Sequence, residues 1–184
     1  MQYLGVFVTL FMCSYAFAQA TTRPADAEFV ISPTRLQQTK PATFFYRELE
    51  ASFANFNDVA RPVHQALRAA VREGGNRVAG PEMMVYFGLP ADRETIFKFQ
   101  FGVIVEDGAK PQGDFKVREL PAMECRTILY SGHVKNISRA FRRVMEAVSS
   151  AGEQMTDEIR ELSLHWEGEE SDNNVVMIQV GLRK

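Results

Sequence analysis

The sequence predicts an α+β fold in which two pseudo-symmetric strand-helix-strand-strand repeats form one antiparallel sheet with two helices on one face. Three observations predict it. The pattern Phe99-Gln100-Phe101-Gly102-Val103 returns as Ile178-Gln179-Val180-Gly181-Leu182, 79 residues further on from Gly102 to Gly181. The same displacement carries Val85-Tyr86-Phe87 onto Leu164-His165-Trp166, Glu82 onto Glu161 and Asn57 onto Asn136, while shifts of one residue either way match Gly74 with Gly152, Leu67 with Met145 and Pro41-Ala42 with Pro121-Ala122. Each half also carries one helical stripe among strand-like segments, the arrangement of an antiparallel sheet with helices gathered on one side. Neither half is long enough to bury much core alone, so the two should share one core and leave a cleft between them, where a ligand would sit.

The elements follow in order. Thr43-Phe44-Phe45-Tyr46-Arg47 is rich in aromatic strand formers. Asn57-Asp58 offers an N-cap to a helix whose apolar stripe is Val59, Val63, Leu67, Ala70 and Val71, ended by Gly74-Gly75. Met83 to Phe87 is a strand, Leu89-Pro90-Ala91-Asp92 a turn, and Phe97, Phe99, Phe101, Val103 and Val105 alternate as the next strand. After the turn from Gly108 to Gly113 the order repeats. Phe115 to Leu120 leads in, Cys125 to Tyr130 is a strand, and Ile137, Phe141, Val144, Met145 and Val148 form the second helical stripe, closed by Ala151-Gly152. Glu158 to Trp166 and Val175 to Leu182 make the last hairpin around an acidic loop, Glu167 to Asn174, which reads as a solvated tip.

Residues 1–20 carry no charged side chain and hold the apolar run Leu4 to Met12. That run is shorter than the roughly 20 residues a membrane span needs. Small residues at Ala16-Phe17-Ala18 and Ala18-Gln19-Ala20 stand at signal-peptidase spacing, so residues 1–20 read as a signal peptide, 21–28 as a disordered lead-in, and 29–184 as one domain with repeats at about 29–107 and 114–184. The expected location is periplasmic or secreted. Cys125 is then the one mature cysteine and reads as a small buried hydrophobe. The net charge of −2 gives no nucleic-acid footprint, and Arg139, Arg142 and Arg143 read as the wet face of a helix. His64, His133 and His165 are scattered without a second ligand at metal spacing, so neither a metal site nor a cofactor is expected.

Strand alternation places Leu162, Leu164 and Trp166 in the core, and Glu161, Ser163 and His165 on the opposite face. The internal match places Glu82, Met84 and Tyr86 on that same face. Three local signatures, Glu119-Leu120-Pro121-Ala122 before a strand and Gly132, Phe99 to Val105, and Arg160-Glu161-Leu162, make the stretch from about Phe29 to Arg183 resemble the GyrI-like small-molecule-binding family, found also as the effector domain of AraC-type and MerR-type multidrug regulators. The resemblance implies a groove at the pseudo-dyad, walled by aromatics, that captures a lipophilic or cationic compound over a floor glutamate, here Glu161. The ligand-binding set is then Glu161, Ser163, His165, Tyr86 and Met84, with no catalytic residue.

The chain departs from the family pattern at Ser163, where a tyrosine is usual, at Tyr130-Ser131-Gly132 in place of His-x-Gly, and at Gln100, where an acid is common. Two alternatives of other classes stand beside binding: hydrolysis of a strained electrophile with Glu161 activating water, and inhibition of a partner protein. The expected partner is a small molecule, with neither nucleic acid nor stable membrane insertion. N-terminal sequencing of exported protein is expected to begin after Ala18 or Ala20; an intact Met1 there would refute the signal peptide.

Overall fold

The computed structural model describes residues 28–183. The expected signal peptide and all of the lead-in except Glu28 lie outside the described residues. The elements are β1 (Phe29–Ile31), β2 (Arg35–Gln38), β3 (Ala42–Ala51), α1 (Phe56–Glu73), β4 (Val78–Phe87), β5 (Phe97–Val105), β6 (Lys116–Leu120), β7 (Glu124–Gly132), a 3-10 turn (Val134–Asn136), α2 (Ser138–Ser150), β8 (Met155–His165) and β9 (Val175–Leu182). The strands form one antiparallel sheet in the order β1-β7-β9-β8-β4-β5-β3-β6, with β2 also on β7.

Both helices lie where apolar periodicity requires them. Ala60, Val63, Leu67, Ala70 and Val71 of α1, and Ala140, Val144 and Val148 of α2, are buried against the same side of the sheet. The start of α1 differs from expectation. It begins at Phe56, before Asn57-Asp58, and Asn55 at the cap position turns its Oδ1 back to accept from the Ser52 amide at 2.9 Å instead of capping the helix. Asp58 instead lies in the first turn, where its charge suits the helix dipole. The first strand of the central pair is also longer than its apolar run, starting at Val78 with a register shift before Glu82.

The two halves are joined by strand pairing at the centre and along the outer edge, where β1 also pairs with β7. At the centre, β4 pairs with β8, Met83 opposite Leu162, with Glu82 opposite Ser163 on one side and Met84 opposite Glu161 on the other. These pairs exchange under the 79-residue displacement, so the pseudo-dyad passes between Met83 and Leu162. At the outside, β2 and β3 run against β7 and β6 in one continuous register, from Arg35 opposite Thr127 through Gln38 opposite Glu124 to Ala42 opposite Leu120 and Tyr46 opposite Lys116. Pro41 and Pro121 fall opposite each other at its midpoint, and neither can donate to a ladder, so the strands break there. The Thr39 amide to the Met123 carbonyl, and the Met123 amide to Thr39 Oγ1, both at 2.9 Å, carry the pairing across the break.

Alternation sends the strand side chains to two cores. Phe45, Phe99, Phe101, Ile178 and Val180 lie under the helices, while Phe44, Tyr46, Met83, Val85 and Leu120 fill the opposite side with Phe87, Ile104 and Leu162 packed on them. Phe44 and Phe45 are therefore adjacent in sequence and both fully buried. Each such side chain contributes roughly 1.5–3 kcal/mol.

Gly102 is opposite Tyr46 and Gly181 opposite Cys125, positions that correspond in the two repeats. A Cβ on Gly102 would run into the Phe45 carbonyl oxygen and come within 2.7 Å of Tyr46 Cα, which is backbone and cannot yield; on Gly181 it would meet the side chains of Thr156 and Met123 first. Gly102→Ala should therefore cost about 3 kcal/mol or more and Gly181→Ala distinctly less. Urea unfolding of the two variants checks the order, and equal losses would contradict it.

Candidate functional site

Between the helices and the central strand pair lies a cavity of about 700 Å³. Its floor is Glu82, Met84 and Tyr86 from β4 with Glu161 and Ser163 from β8; Phe56, Ala60 and His64 of α1 and Phe141 and Met145 of α2 form walls. The floor residues follow from period-two alternation on paired strands, the wall residues from one-turn spacing on the helices. Four of the five site residues expected from the sequence, Glu161, Ser163, Tyr86 and Met84, thus line one cavity. His165 is not brought to it. It lies exposed at a second, open hollow beside Ser163, with Nε2 at 3.1 Å from Glu167 Oε1.

Glu161 is half-buried and faces the cavity. Tyr86 Oη donates to Glu161 Oε2 at 2.9 Å and also lies 3.1 Å from Met84 Sδ. Burial pushes the carboxyl up to about 7, against a smaller downward pull from the Tyr86 hydrogen bond. Burial, followed by the Glu161 charge, raises the Tyr86 phenol well above its ordinary value. Among the described residues no cation is paired with Glu161. The Tyr86 ring is in turn held among Phe56, Phe97, Phe99 and Phe141, with centroids 6.2–6.3 Å away.

Glu82 occupies the matching place in the first repeat and is treated differently. Its Oε2 is 3.0 Å from His64 Nε2 and its Oε1 accepts from Arg68 Nε at 3.2 Å. The His64 hydrogen bond lowers Glu82, and the same bond raises His64. His64 and Arg68 stand one turn apart on α1, a spacing that marks one helix face. That spacing is the sequence signal that could have found them, but nothing local ties it to Glu82.

Two expectations are corrected by one irregularity. A bulge between Ser163 and His165 breaks the alternation of β8, so Trp166 lines the cavity instead of joining the core, and Leu164 is 46% exposed. The acidic loop is likewise not a free tip. Glu169 accepts from Arg61 of α1 at 3.0 Å, Glu170 lies 3.4 Å from His133, and both glutamates line the cavity. Inside the loop, Asn174 is fully buried, donating to the Gly168 and Ser171 carbonyls and accepting from the Glu167 amide. Arg142 is exposed, as a wet helix face requires, and also lines the cavity. Cys125 is buried and its thiol is raised to about 11 by desolvation, which leaves it no thiolate at neutral pH. Among the described residues no group of three His, Cys, Asp or Glu is placed to hold a metal.

The raised carboxyl has a stability consequence. An unfolded glutamate releases its proton near pH 4.5 while Glu161 keeps its own to about 7, so folding loses stability as pH rises between those values and levels off above. Cavity water moderates the cost to roughly 1–2 kcal/mol. Glu161→Gln should accordingly raise the melting temperature relative to the parent at pH 8 and not at pH 4, which thermal unfolding at both values checks.

No family model and no curated protein sequence matches the chain. Solved structures do. The C-terminal domain of EcmrR superposes with a TM-score of 0.70 at 17% identity, over 83% of this chain and 98% of that one; against EcmrR in its DNA complex the TM-score is again 0.70, at 16% identity over 85% of this chain, which spans 58% of the EcmrR chain. SAV2435, in a structure bound to tetraphenylphosphonium, gives 0.60 at 12% identity over 83% and 94% of the two chains. A hydrolase from Listeria innocua gives 0.54 at 9% identity over 80% and 91%. At these identities the likeness shows the fold alone, an architecture shared with the C-terminal domain of EcmrR and with SAV2435.

Proposed function

We propose that the chain is an exported small-molecule-binding protein that captures a lipophilic cation in the cavity between its repeats. The observation that carries this reading is a half-buried carboxylate, Glu161, with no cation paired to it among the described residues, at the foot of an aromatic and methionine-lined cavity. Ionised, it is a strong electrostatic partner in a low-dielectric setting, and the surrounding rings add cation–π attraction. Met84 and Met145 supply polarizable surface that adapts to ligands of different shape. SAV2435, which shares the fold, binds tetraphenylphosphonium in its solved structure, and this supports a lipophilic cation as the class of ligand.

A second reading rests on the 2.9 Å contact between Tyr86 and Glu161. The tyrosine missing at position 163 is supplied from the other repeat. A carboxyl near pH 7 is matched to general-base work, so Glu161 would take a proton from water as the water oxygen bonds to a carbon of a strained ring and the ring bond breaks, the proton passing to the departing ring atom. The fold it shares with a Listeria hydrolase is compatible with that chemistry.

Calorimetric titration with tetraphenylphosphonium separates the readings. Binding should be at least tenfold tighter at pH 8 than at pH 5.5, because the cation favours the ionised carboxyl, and Glu161→Gln should weaken it at least tenfold at pH 8 while leaving the protein folded. Equal affinity in the two proteins would overturn the carboxylate as anchor. Turnover of an epoxide probe that vanishes in Glu161→Gln, with cation affinity unchanged, would favour the hydrolase.

A further inference from the structure

The pseudo-dyad should make the floor of the cavity symmetric, and it is not. Glu82 and Glu161 exchange under the 79-residue displacement and face the same cavity from adjacent strands. They are diagonal neighbours across that pair, which sets them about 7 Å apart. Two bare carboxylates at that spacing would suit a ligand with a positive charge at each end. Only one is bare. Both oxygens of Glu82 are occupied, Oε2 by His64 and Oε1 by Arg68. The His64 ring is itself fixed edge-on against Phe101 at 5.7 Å, so the clamp is part of the wall. Summed over the three side chains, the Glu82 end of the floor has no net negative charge whether His64 is neutral or protonated. Above the floor, Glu169 is paired with Arg61, and Glu170, 94% exposed, lies 3.4 Å from His133.

Building on the cation-binding reading, we infer that the cavity is a one-charge site: it takes a lipophilic compound with a single positive centre, seated at Glu161, and rejects one with a second positive centre at the far end. His64 and Arg68 are the residues that set this specificity. Arg68 lies outside the cavity and acts through Glu82, so it is a positioning residue. A dication placed on this floor would put one charge on Glu161 and press the other against a clamp whose carboxylate is already satisfied. The energetic difference is local Coulomb repulsion and unmatched desolvation of the second charge.

The test is a matched pair of flat biaryl probes titrated at pH 8: N-methyl-4-phenylpyridinium, with one cationic ring, and methyl viologen, of nearly the same shape with a cationic ring at each end. The parent protein should bind the monocation at least tenfold more tightly. In His64→Gln/Arg68→Gln, which frees Glu82, that ratio should fall at least tenfold, mostly through a gain in viologen affinity. Arg68→Gln alone, at a side chain that is 83% exposed, should keep the fold and show part of the same shift, so the inference stays testable if the double variant is unstable. A parent ratio near one, or a ratio that is the same in parent and variants while the monocation still binds, overturns the inference and leaves the cation site standing. Failure of both probes to bind the parent overturns the cation site itself, and this inference with it.

Discussion

The pairing of β4 with β8 is the constraint on which the rest of the molecule depends. It joins the two halves at one antiparallel ladder, with Met83 and Leu162 opposite each other on its axis. Because side chains alternate, that one register decides both faces at once: Met83, Val85 and Leu162 go down into the second core, while Glu82, Met84, Tyr86, Glu161 and Ser163 go up to the cavity. A slip of one residue would put two glutamates into an apolar core and methionine and leucine where the ligand would sit. Burial of Met83 and Val85 is thus what holds Glu161 in place.

Three charged side chains near this ladder meet the cost of burial in three ways. Arg160, 3% exposed on the lower face, donates to Glu158 at 2.6 Å and to the Pro121 carbonyl at 3.3 Å, an internal pairing that leaves its charge in place. Glu82 is neutralised from the helix above it. Glu161 has only a phenol, and its proton is retained far above the ordinary carboxylate range. Tyr86 could stabilise a charge here but cannot cancel one. An uncompensated carboxylate beside well-compensated neighbours reads as a site kept for an external partner, in line with the clustering of perturbed acids at functional sites.

The fold was legible in the sequence because the repeat is legible: the displacement of Gly102 onto Gly181 and Glu82 onto Glu161 is a statement about symmetry, and symmetry brings the two strands that carry the glutamates together. Period-two alternation then sorted Met83 from Met84 and Leu162 from Glu161 correctly. It failed past Ser163, since a bulge is set by backbone pairing with β9 and leaves no mark on the composition of Leu164-His165-Trp166. β2 was also not legible, because Arg35–Gln38 is polar and exposed and becomes a strand only by pairing with β7. The remaining omissions are long-range charge pairs. Arg61 reaches a glutamate 108 residues away, and His64 and Arg68 reach Glu82 across the helix-to-strand turn; no spacing rule within a single element foresees either.

The outer ribbon, in which β2 and β3 run against β7 and β6, bears on how the chain reaches this structure. Each repeat lends its leading strand to the other's sheet: β6 completes the first half, at β3, and β2 completes the second, at β7. Neither half can therefore finish its own hydrogen bonding, and most of the ladder joining them links residues some 70 to 90 positions apart in sequence. Contacts of that range reward the chain only after a long loop has been closed, which slows folding. The two repeats thus behave as a dimer written into one polypeptide. The connection between β5 and β6 makes the pairing of the repeats intramolecular and so keeps the local concentration of the second partner high.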